Sequence, residues 1–484
     1  MTDTTRETDE PSVDQTPAQR QTPDQHRTAD QHRTPGQRRS PEQPPSTGRH
    51  RPPGPDERGA DQHWKVVPAT ERETERPRGR DLRTNLAINI GRMAASLSQR
   101  LGLGSGGMIG GRVALTLQPD LLQRLAAGRR VVMVTGTNGK TTTTQMVAEA
   151  MRAQAPAVSN ATGANMLDGH VAALLTRLDA PFAALEVDEL HLAQVTERFE
   201  PAAMLLLNLS RDQLDRVGEV RTVAASLQRA LAQAPGAQVI ANRDDPNIVF
   251  AASDHPNVTW VSGGVRWRDD ALNCPRCGSF IGDVDRDWRC QCGLARPAAD
   301  WTVTDTGVLD AEGTHHELAL ALPGHVNRVN ATFALAAALE LGGEEAAALA
   351  RIRRISQAAG RYDTVRVGGR KVRLLLAKNP ASWLEMLDLV SGNDEPLVLV
   401  VNSREADGYD VSWLWDVDFE MLRGRPVQVA GDRALDLAVR LRYAQVPATV
   451  ASTVEVALGG SHGGVPDVIA NYTAFRDVLT RSRR

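Results

Sequence analysis

Short apolar runs alternate with segments of helical periodicity over most of the chain. From Arg130 onward, these runs are separated by stretches in which apolar positions recur every three or four residues. Such alternation is typical of a largely parallel sheet covered by helices. We therefore predict an α/β protein, with strands at Val131–Val134, Ala183–Val187, Met204–Leu209, Val239–Ala241, Val372–Leu376, Leu397–Val401 and Val427–Val429.

A helical pattern also precedes the first predicted strand. Residues 82–104 have apolar side chains at helical spacing and end in glycines, as helices often do. The segment Ser105–Arg112 (SGGMIGGR) is predicted to be a glycine-rich loop, with a short second helix at Leu121–Ala127. After a helix at Thr332–Leu341, a second α/β region begins near Gly360. We predict four regions: an extension over 1–80, a helical segment over 81–128, a central domain over 129–355, and a smaller α/β domain over 356–484.

Residues 1–80 differ in composition from the rest of the chain. They contain no Leu, Ile, Phe or Tyr and are rich in Pro, Gln, Thr, Arg and Asp. Such a segment cannot bury enough apolar surface to offset its ordering entropy, so we predict that it is disordered. It also lacks the basic region and apolar run of a secretory signal. We therefore expect a cytoplasmic protein.

Size and charge set broad limits on function. The 484 residues suffice for two or three folded domains. A formal net charge of −3, spread through the chain, gives no indication of a nucleic-acid partner. No apolar run reaches the roughly eighteen residues that a membrane span requires.

The strongest functional signal is VVMVTGTNGKTTTT, residues Val131–Thr144. An apolar strand leads into a glycine-rich turn, and a lysine then begins a helix. Glycines allow the turn to direct its N–H groups at phosphates, the lysine neutralises the β and γ oxygens, and the next threonine binds Mg²⁺. We predict a nucleoside triphosphate site formed by Thr135, Gly136, Thr137, Asn138, Gly139, Lys140, Thr141 and Thr142.

All four cysteines lie in a single insertion at about 264–300. They form two short motifs, Cys274-Pro-Arg-Cys277-Gly and Cys290-Gln-Cys292-Gly. Paired motifs of this kind are typical of a zinc ribbon, in which four thiolates bind a structural Zn²⁺. The local sequence has too little positive charge to indicate nucleic-acid binding. With its cysteines committed to zinc, the chain has none left as a catalytic nucleophile.

The phosphate motif departs from GxxxxGK[ST], because Val134 occupies the position of the first glycine. The TGTNGKTTT form resembles the Mur ligase family, which includes peptidoglycan amino-acid ligases and folylpolyglutamate synthetase. Further segments resemble motifs of that family in the expected order: Glu186 after the strand AALE, NLSRDQLD at 208–215, NRDD at 242–245, GHVNRVN at 324–330, GRYD at 360–363, and KNP at 378–380.

The resemblance implies a phosphoryl-transfer site that uses ATP and Mg²⁺. Glu186 and Thr141 would bind the Mg²⁺, and Lys140 and Glu186 would be catalytic. Gln213 stands where the family usually has a histidine, so no histidine role is carried over there.

The same resemblance implies the remaining nucleotide contacts. Asn327 and Asn330 would contact adenine, while Arg361 and Lys378 would reach the phosphates. For the NRDD segment at 242–245, a structural turn and a direct role both remain open.

At a narrower level, the chain resembles the branch of the family that amidates lipid II. The features concerned are the cysteine insertion, LAKNP, the aspartate-rich run at 407–418, and NYTAF near the end. The resemblance implies that the α-carboxylate of D-glutamate in lipid II is activated as an acyl phosphate and converted by ammonia to D-isoglutamine. It also implies lipid II as the substrate, at the inner face of the membrane.

That branch also implies a protein partner, a GatD-type glutamine amidotransferase subunit that supplies ammonia. An aspartate of this chain would complete the partner's Cys-His pair. The candidates are Asp410, then Asp407 and Asp416. The chain has no DNPR-like element of the kind that diaminopimelate-adding ligases use to hold their amino acid.

Two alternatives remain. The first keeps the fold but changes the acceptor, giving a ligase that adds an amino acid, as in folylpolyglutamate synthesis. The second is a nucleotide-binding regulatory module whose zinc ribbon binds another macromolecule. Measurement of ADP release distinguishes the three hypotheses. Release with ammonium indicates the amidating ligase, release with amino acids indicates the amino-acid ligase, and release with neither indicates the regulatory module.

Overall fold

The structure, a computed structural model, describes most of the chain beyond residue 80. The described residues are 81–101, 107–160, 163–211, 220–264, 266–284, 286–357, 361–392, 395–459 and 464–482. The predicted disordered extension over 1–80, residues 212–215 of the NLSRDQLD segment, and Gly360 lie outside these ranges.

The first sheet forms the centre of the larger α/β unit. Its strands are β1 (Arg130–Thr135), β2 (Ala157–Ser159), β3 (Phe182–Glu186), β4 (Ala203–Leu206), β5 (Gln238–Asn242), β6 (Val258–Ser262), β7 (Trp301–Val303), β8 (Gly307–Leu309) and β9 (His315–Glu317). They are arranged in the order β2-β3-β1-β4-β5-β6-β7-β8-β9, parallel as far as β7 and antiparallel beyond it. Both faces of β1 are buried, which explains its uninterrupted apolar run.

Helices cover both faces of this sheet. One face packs against α4 (Lys140–Met151), α9 (His325–Glu340) and α10 (Glu345–Ile352). The other face packs against α1 (Leu82–Arg100), α2 (Gly107–Leu117), α3 (Leu121–Ala126), α5 (Leu167–Thr176), α6 (Leu192–Thr196), α7 (Val220–Ala232) and α8 (Pro246–Ala252). A parallel sheet with helices on both faces is the arrangement that the apolar pattern predicted.

The segment predicted as a glycine-rich loop is helical in most of its length. Helix α2 begins at Gly107 and includes Gly110 and Gly111. A Cβ atom on Gly110 would lie 2.6 Å from the carbonyl oxygen of Gly91, so the glycine permits close contact between α1 and α2. The loop prediction was wrong because these glycines serve helix packing rather than chain reversal.

The second sheet has six strands. They are β10 (Tyr362–Val367), β11 (Arg370–Leu376), β12 (Leu397–Val400), β13 (Val427–Ala430), β14 (Ala448–Val450) and β15 (Asp467–Ala470), in the order β10-β11-β15-β12-β13-β14. Only the β10–β11 hairpin is antiparallel. Four helices cover it: α11 (Pro380–Ser391), α12 (Ala434–Tyr443), α13 (Val454–Gly459) and α14 (Tyr472–Ser482).

The observed architecture confirms the predicted fold class. The first sheet has an inserted cysteine-bearing segment between β6 and β7, and a smaller α/β unit follows. Among the residues that the structure describes, no helix is both long enough and apolar enough to cross a bilayer.

Candidate functional site

The predicted phosphate loop connects the central strand β1 to α4. Thr135 ends the strand and is buried, and Thr142 is buried in the first turn of the helix. Gly136 and Gly139 have positive φ angles of 134° and 86°. A side chain at Gly139 would also collide with the Asn330 side-chain oxygen, 2.8 Å from an ideal Cβ position. The two glycines are therefore required by backbone geometry and by close packing.

Hydrogen bonds from the loop after β4 hold the phosphate loop in place. The Asn138 N–H donates to Oδ1 of Asn208 at 2.9 Å, and Nδ2 of Asn208 donates to the Asn138 carbonyl at 3.1 Å. The hydroxyl of Thr137 donates to the Ser210 carbonyl at 3.1 Å. Asn208 thus has a positioning role that its place in the family-like motif did not specify.

Lys140 is buried and forms an ion pair. Its Nζ donates to the Gly136 carbonyl at 2.5 Å and to Oε2 of Glu189 at 2.9 Å. The two side chains are only 6% and 10% exposed, so neither charge is well solvated. The sequence analysis did not identify Glu189 as part of the site. Its position three residues after Glu186, beyond the end of β3, is the one signal that could have identified it.

Thr141 and Glu186 meet beside this pair, as the metal prediction required. Oγ1 of Thr141 donates to Oε2 of Glu186 at 2.8 Å, and both residues are buried. Asn160 fixes the backbone of Glu186 from both sides: its Oδ1 accepts from the Glu186 N–H at 2.7 Å, and its Nδ2 donates to the carbonyl at 2.9 Å. A hydroxyl and a carboxylate are the hard oxygen ligands that Mg²⁺ prefers, so this residue pair fits the ion.

A buried histidine supports Glu186 without adding charge. Nε2 of His170 lies 2.9 Å from the Glu186 carbonyl oxygen. Burial lowers the pKa of His170 to about 4, with the backbone hydrogen bond opposing the shift. The imidazole is therefore neutral near pH 7, and it does not compete with a cation for the carboxylate.

Residues of the second α/β unit reach the phosphate loop. Nη2 of Arg361 donates to Oγ1 of Thr141 at 3.4 Å, and Nδ2 of Asn379 donates to Oδ1 of Asn138 at 3.3 Å. Lys378 is half-buried just before α11, where Asn379 and Ser382 form a capping box. The Lys-Asn-Pro turn therefore lies next to the loop that it was predicted to serve.

A cleft of about 740 Å³, including its open mouth, extends from the phosphate loop between the two units. Asn330 lines it beside Asn138 and Trp267, whereas Asn327 is not among the lining residues and donates from Nδ2 to the Pro323 carbonyl at 2.6 Å. The structure thus brings Asn330 to the cleft, while the Asn327 side chain binds the backbone just before its own helix.

Two acidic groups of the cleft have raised pKa values. Burial raises the pKa of Glu385 to about 7, and it raises that of Asp245 to about 6 against several backbone hydrogen bonds. Asp245 accepts from the Leu209 N–H at 2.6 Å and caps α8 through the Asn247 N–H. Asn242 donates to the Leu207 carbonyl at 2.9 Å. The NRDD turn therefore shapes the cleft wall as a structural element.

The four cysteines converge as a zinc ribbon requires. The Cys274–Cys292 and Cys277–Cys290 sulfur distances are 3.6 and 3.4 Å, and all four sulfurs lie within 4.8 Å of one another. Sulfurs about 2.3 Å from a tetrahedral Zn²⁺ lie about 3.8 Å apart, whereas a disulfide bond is about 2.05 Å long. The cluster fits a four-thiolate ion and leaves no ligand position for water.

The ribbon is joined to the central unit by packing and by charge. Cys274, Cys290 and Trp288 lie in a small core with Val249 of α8. The buried carboxylate of Asp244 accepts hydrogen bonds from the guanidinium of Arg296, at the end of the insertion. These contacts make the ribbon an integral part of the fold next to the cleft.

The three candidate aspartates of the second unit differ in environment. Asp407 is buried, and its carboxylate accepts hydrogen bonds from the backbone and the hydroxyl of Thr473. Asp410 is exposed and accepts from the Ser412 N–H at 2.8 Å and hydroxyl at 3.0 Å, which lowers its pKa. Asp416 is exposed at the end of the 3-10 helix Ser412–Trp415. Asp407 is thus engaged within the fold, and the other two face outward.

Comparison with known proteins agrees with this geometry. Residues 134–338 match the Mur ligase middle domain, and residues 376–475 match the MurT ligase C-terminal domain. The chain is 29% identical over 439 residues to the lipid II isoglutaminyl synthase (glutamine-hydrolyzing) subunit MurT of Streptococcus pneumoniae, covering 82% of this chain and 97% of that protein. The MurT subunit of Staphylococcus aureus strain COL is 28% identical, with the same coverage.

A solved structure shows the same fold. MurF from Acinetobacter baumannii superposes with a TM-score of 0.56 at 17% sequence identity, covering 77% of this chain and 81% of that chain.

We predict that Glu189→Gln destabilises the nucleotide-free protein by about 3 kcal/mol, because Lys140 would then be a buried charge without its anionic partner. Saturating nucleotide with Mg²⁺ should reduce the difference, since a phosphate then pairs with the lysine. Chemical denaturation with and without nucleotide measures both effects. Glu317→Gln, on the edge strand β9, is the matched control. Equal stability of Glu189→Gln and the unmodified protein would contradict this account of the pair.

We predict that the purified chain carries about one zinc ion, and that Cys290→Ser lowers this content and the unfolding temperature. Metal analysis and thermal unfolding provide the two measurements. Arg286→Ala, an exposed residue of the same insertion, is the control and should retain the metal. Full zinc content in Cys290→Ser would exclude the four-thiolate site.

Proposed function

Because this chain belongs to the Mur ligase family of ATP-dependent ligases, we propose that it is the synthetase subunit of a lipid II isoglutaminyl synthase. Its substrate is the α-carboxylate of D-glutamate in lipid II, and its product is the D-isoglutamine amide. The enzyme acts at the inner face of the membrane, to which it binds peripherally.

One observation carries the catalytic part of this proposal. Side chains of the second unit contact the phosphate loop directly, Arg361 at Thr141 and Asn379 at Asn138. A nucleotide-binding module alone would not need cationic and polar groups from a second domain at the terminal phosphate. A ligase needs them, because the γ-phosphoryl group must meet an acceptor carboxylate there.

The reaction has two steps. A carboxylate oxygen attacks the γ-phosphorus of ATP, the bond to the β-phosphate oxygen breaks, and ADP leaves. The nitrogen of ammonia then attacks the acyl carbon, the bond to the phosphate oxygen breaks, and inorganic phosphate leaves as the nitrogen loses a proton. The first step converts a poor leaving group into a good one, which makes amide formation feasible.

The residues of the site lower the electrostatic barrier between two anions. The N-terminus of α4 would face the phosphates, and Lys140 supplies a full positive charge. Arg361 lies 3.4 Å from Thr141 and can contact the transferred group. A Mg²⁺ ion held by Thr141 and Glu186 would neutralise further phosphate charge when bound.

Ammonia is proposed to come from a separate glutaminase subunit. All four cysteines are drawn into the ribbon cluster, so this chain has no thiol available as a glutaminase nucleophile. The relatives that match over 82% of the chain are described as subunits of a glutamine-hydrolysing enzyme. We therefore assign the hydrolysis of glutamine to a partner of GatD type.

An exposed aromatic and aliphatic patch on the second unit fits this partner. Leu435, Val439 and Tyr443 follow one face of α12 at spacings of four residues, with Leu435 and Tyr443 each 71% exposed. The Trp415 ring packs edge-on against Tyr443, with centroids 5.3 Å apart. Clusters of exposed aromatic residues are typical of protein–protein interfaces.

Asp410 is the aspartate that we assign to the partner's active site. It is exposed, ionised and five residues before Trp415, whereas Asp407 is committed to Thr473. An aspartate that orients a catalytic histidine must be able to reach it, which requires a carboxylate on the contact surface.

We predict that the complex with its glutaminase converts lipid II, ATP and ammonium to the amide, ADP and phosphate, with a loss of about one dalton in lipid II mass. Lys140→Ala should reduce this rate by at least about 100-fold, because the phosphoryl group loses its principal cationic ligand. Lys371→Ala, exposed on β11, is the matched control. Amidation that continues without ATP consumption, or at the normal rate in Lys140→Ala, would refute the proposal. Equal activity with amino acids would favour an amino-acid ligase.

We predict that Asp410→Asn reduces glutamine-dependent amidation by at least about 100-fold and leaves ammonium-dependent amidation unchanged. The asparagine would fail to stabilise a histidine cation in the partner, but the ligase site would remain intact. Asp416→Asn should retain both activities, and Asp407→Asn should lower the unfolding temperature. Selective loss in Asp416→Asn instead would assign the role to that residue.

A further inference from the structure

Helix α1 has most of its large apolar residues on the outside, and its buried face contains mainly small ones. Leu82, Leu86, Met93 and Leu97 lie on one face at helical spacing, and they are 90%, 57%, 70% and 58% exposed. The buried face contains instead Thr84, Ala87, Ile88, Gly91 and Ser98. A helix that only supported a protein core would have the opposite distribution.

Further exposed aliphatic residues follow α1 in the sequence. Leu101 directly after the helix and Met108 and Ile109 at the start of α2 are also exposed. We call the seven residues Leu82, Leu86, Met93, Leu97, Leu101, Met108 and Ile109 the α1–α2 patch. Isolated exposed leucines are common, but a set of seven large aliphatic side chains in one helical pair marks a binding surface.

Charge around the patch identifies the kind of partner. Residues 82–117 contain four arginines (Arg83, Arg92, Arg100 and Arg112) and no aspartate or glutamate. Arg112 pairs with Asp168 of α5 and Asp81 caps α1, which leaves Arg92 and Arg100 as the basic residues of the proposed surface. The chain as a whole has a net charge of −3, so the basic character is local. Aliphatic side chains flanked by arginines are typical of surfaces that insert into the headgroup region of an anionic bilayer.

The chain's own N-terminal extension is poorly suited to cover the patch. Residues 1–80 contain no Leu, Ile, Phe or Tyr, so they offer few side chains that would bury against it. The patch also lacks the exposed aromatic residues that protein interfaces favour, and which the α12 surface of this same chain contains.

The patch is connected to the phosphoryl-transfer site through one helix. A Cβ atom on Gly111 of α2 would overlap the backbone of Asp168 in α5, so the two helices are in close contact. His170 of α5 in turn lies 2.9 Å from the Glu186 carbonyl. If α1 and α2 bind the membrane, only α5 and β3 then separate this helix pair from the catalytic centre.

We propose that the α1–α2 patch docks the enzyme onto an anionic phospholipid surface, with its aliphatic side chains at the headgroup boundary and Arg92 and Arg100 near lipid phosphates. This inference rests on the proposed function, in which the substrate is anchored in a membrane. It adds a binding surface that is separate from the nucleotide site and from the partner surface on α12.

Sedimentation of the full-length chain with vesicles tests the proposal. The chain should bind vesicles of phosphatidylglycerol and phosphatidylcholine, and bind pure phosphatidylcholine vesicles more weakly. The triple variant Leu86→Gln, Met93→Gln, Leu97→Gln should lower the affinity for anionic vesicles by at least about tenfold. Leu435→Gln with Val439→Gln on α12 is the matched control and should bind normally.

A charge variant tests the same surface without removing apolar groups. The double variant Arg92→Glu, Arg100→Glu should also weaken vesicle binding by at least about tenfold. Added salt should weaken vesicle binding by the unmodified protein as well. Thermal unfolding verifies that both variants fold. Equal vesicle binding by the folded variants would overturn the proposal. Loss of a dimer in the triple variant would show that the patch binds a second copy of the chain, and loss of co-purification with the glutaminase would show that it binds that subunit. Either result would also overturn the proposal.

Activity measurements separate this proposal from the proposed function. The triple variant should amidate lipid II in detergent micelles at the normal rate and lipid II in vesicles at least about tenfold more slowly. Absence of amidation by the unmodified complex in micelles would reject the proposed function, whereas the vesicle-binding result stands independently of it. Equal rates of variant and unmodified complex on vesicles would reject the docking surface alone.

Discussion

The buried positive charge of Lys140 is the constraint on which the rest of the site depends. A lysine that must meet a triphosphate has to lie where water is scarce, yet an unpaired ammonium in that position is costly. The fold resolves this conflict with the Gly136 carbonyl at 2.5 Å and the Glu189 carboxylate at 2.9 Å. Glu186, three residues earlier, accepts a hydrogen bond from Thr141 instead. The end of β3 thus provides Glu189 as the partner of Lys140, and it leaves Glu186 beside Thr141 as the proposed ligand of a metal ion.

This arrangement requires strands from distant parts of the sequence to end at one edge. β1 delivers the phosphate loop, β3 delivers Glu186, and the segment after β4 delivers Asn208, whose side chain fixes Asn138. Because all three strands are parallel and adjacent, their carboxyl ends converge, as ligand sites in open α/β sheets require. The second unit then closes the site from the other side with Arg361 and Asn379. The proposed activation of a carboxylate would therefore depend on two domains, which suits a reaction that joins two substrates.

Local motifs predicted the parts of this site whose partners are close in sequence or fixed by backbone geometry. The strand–turn–helix at 131–144 follows from apolar residues, two glycines and a lysine, and the structure has that form. The Lys140–Glu189 pair joins residues 49 positions apart, and no local pattern distinguishes Glu189 from Asp188. Strands of three residues such as β2 and β14 are too short to show a period. Helix α2 was not predicted because a glycine that permits close helix packing cannot be told from a loop glycine in the sequence alone.

Two exposed apolar surfaces lie outside the catalytic centre, and their different compositions favour different kinds of partner. The α12 surface combines aromatic and aliphatic residues, and Trp415 and Arg440 stack there. Rigid aromatic rings lose little conformational entropy on binding and suit a shaped protein partner. The α1–α2 patch has flexible aliphatic side chains and arginines, which suit a fluid surface without fixed pockets. The proposed enzyme would take ammonia from a protein and its second substrate from a bilayer. It would therefore use both kinds of surface, and their location on different domains would keep one partner from blocking the other.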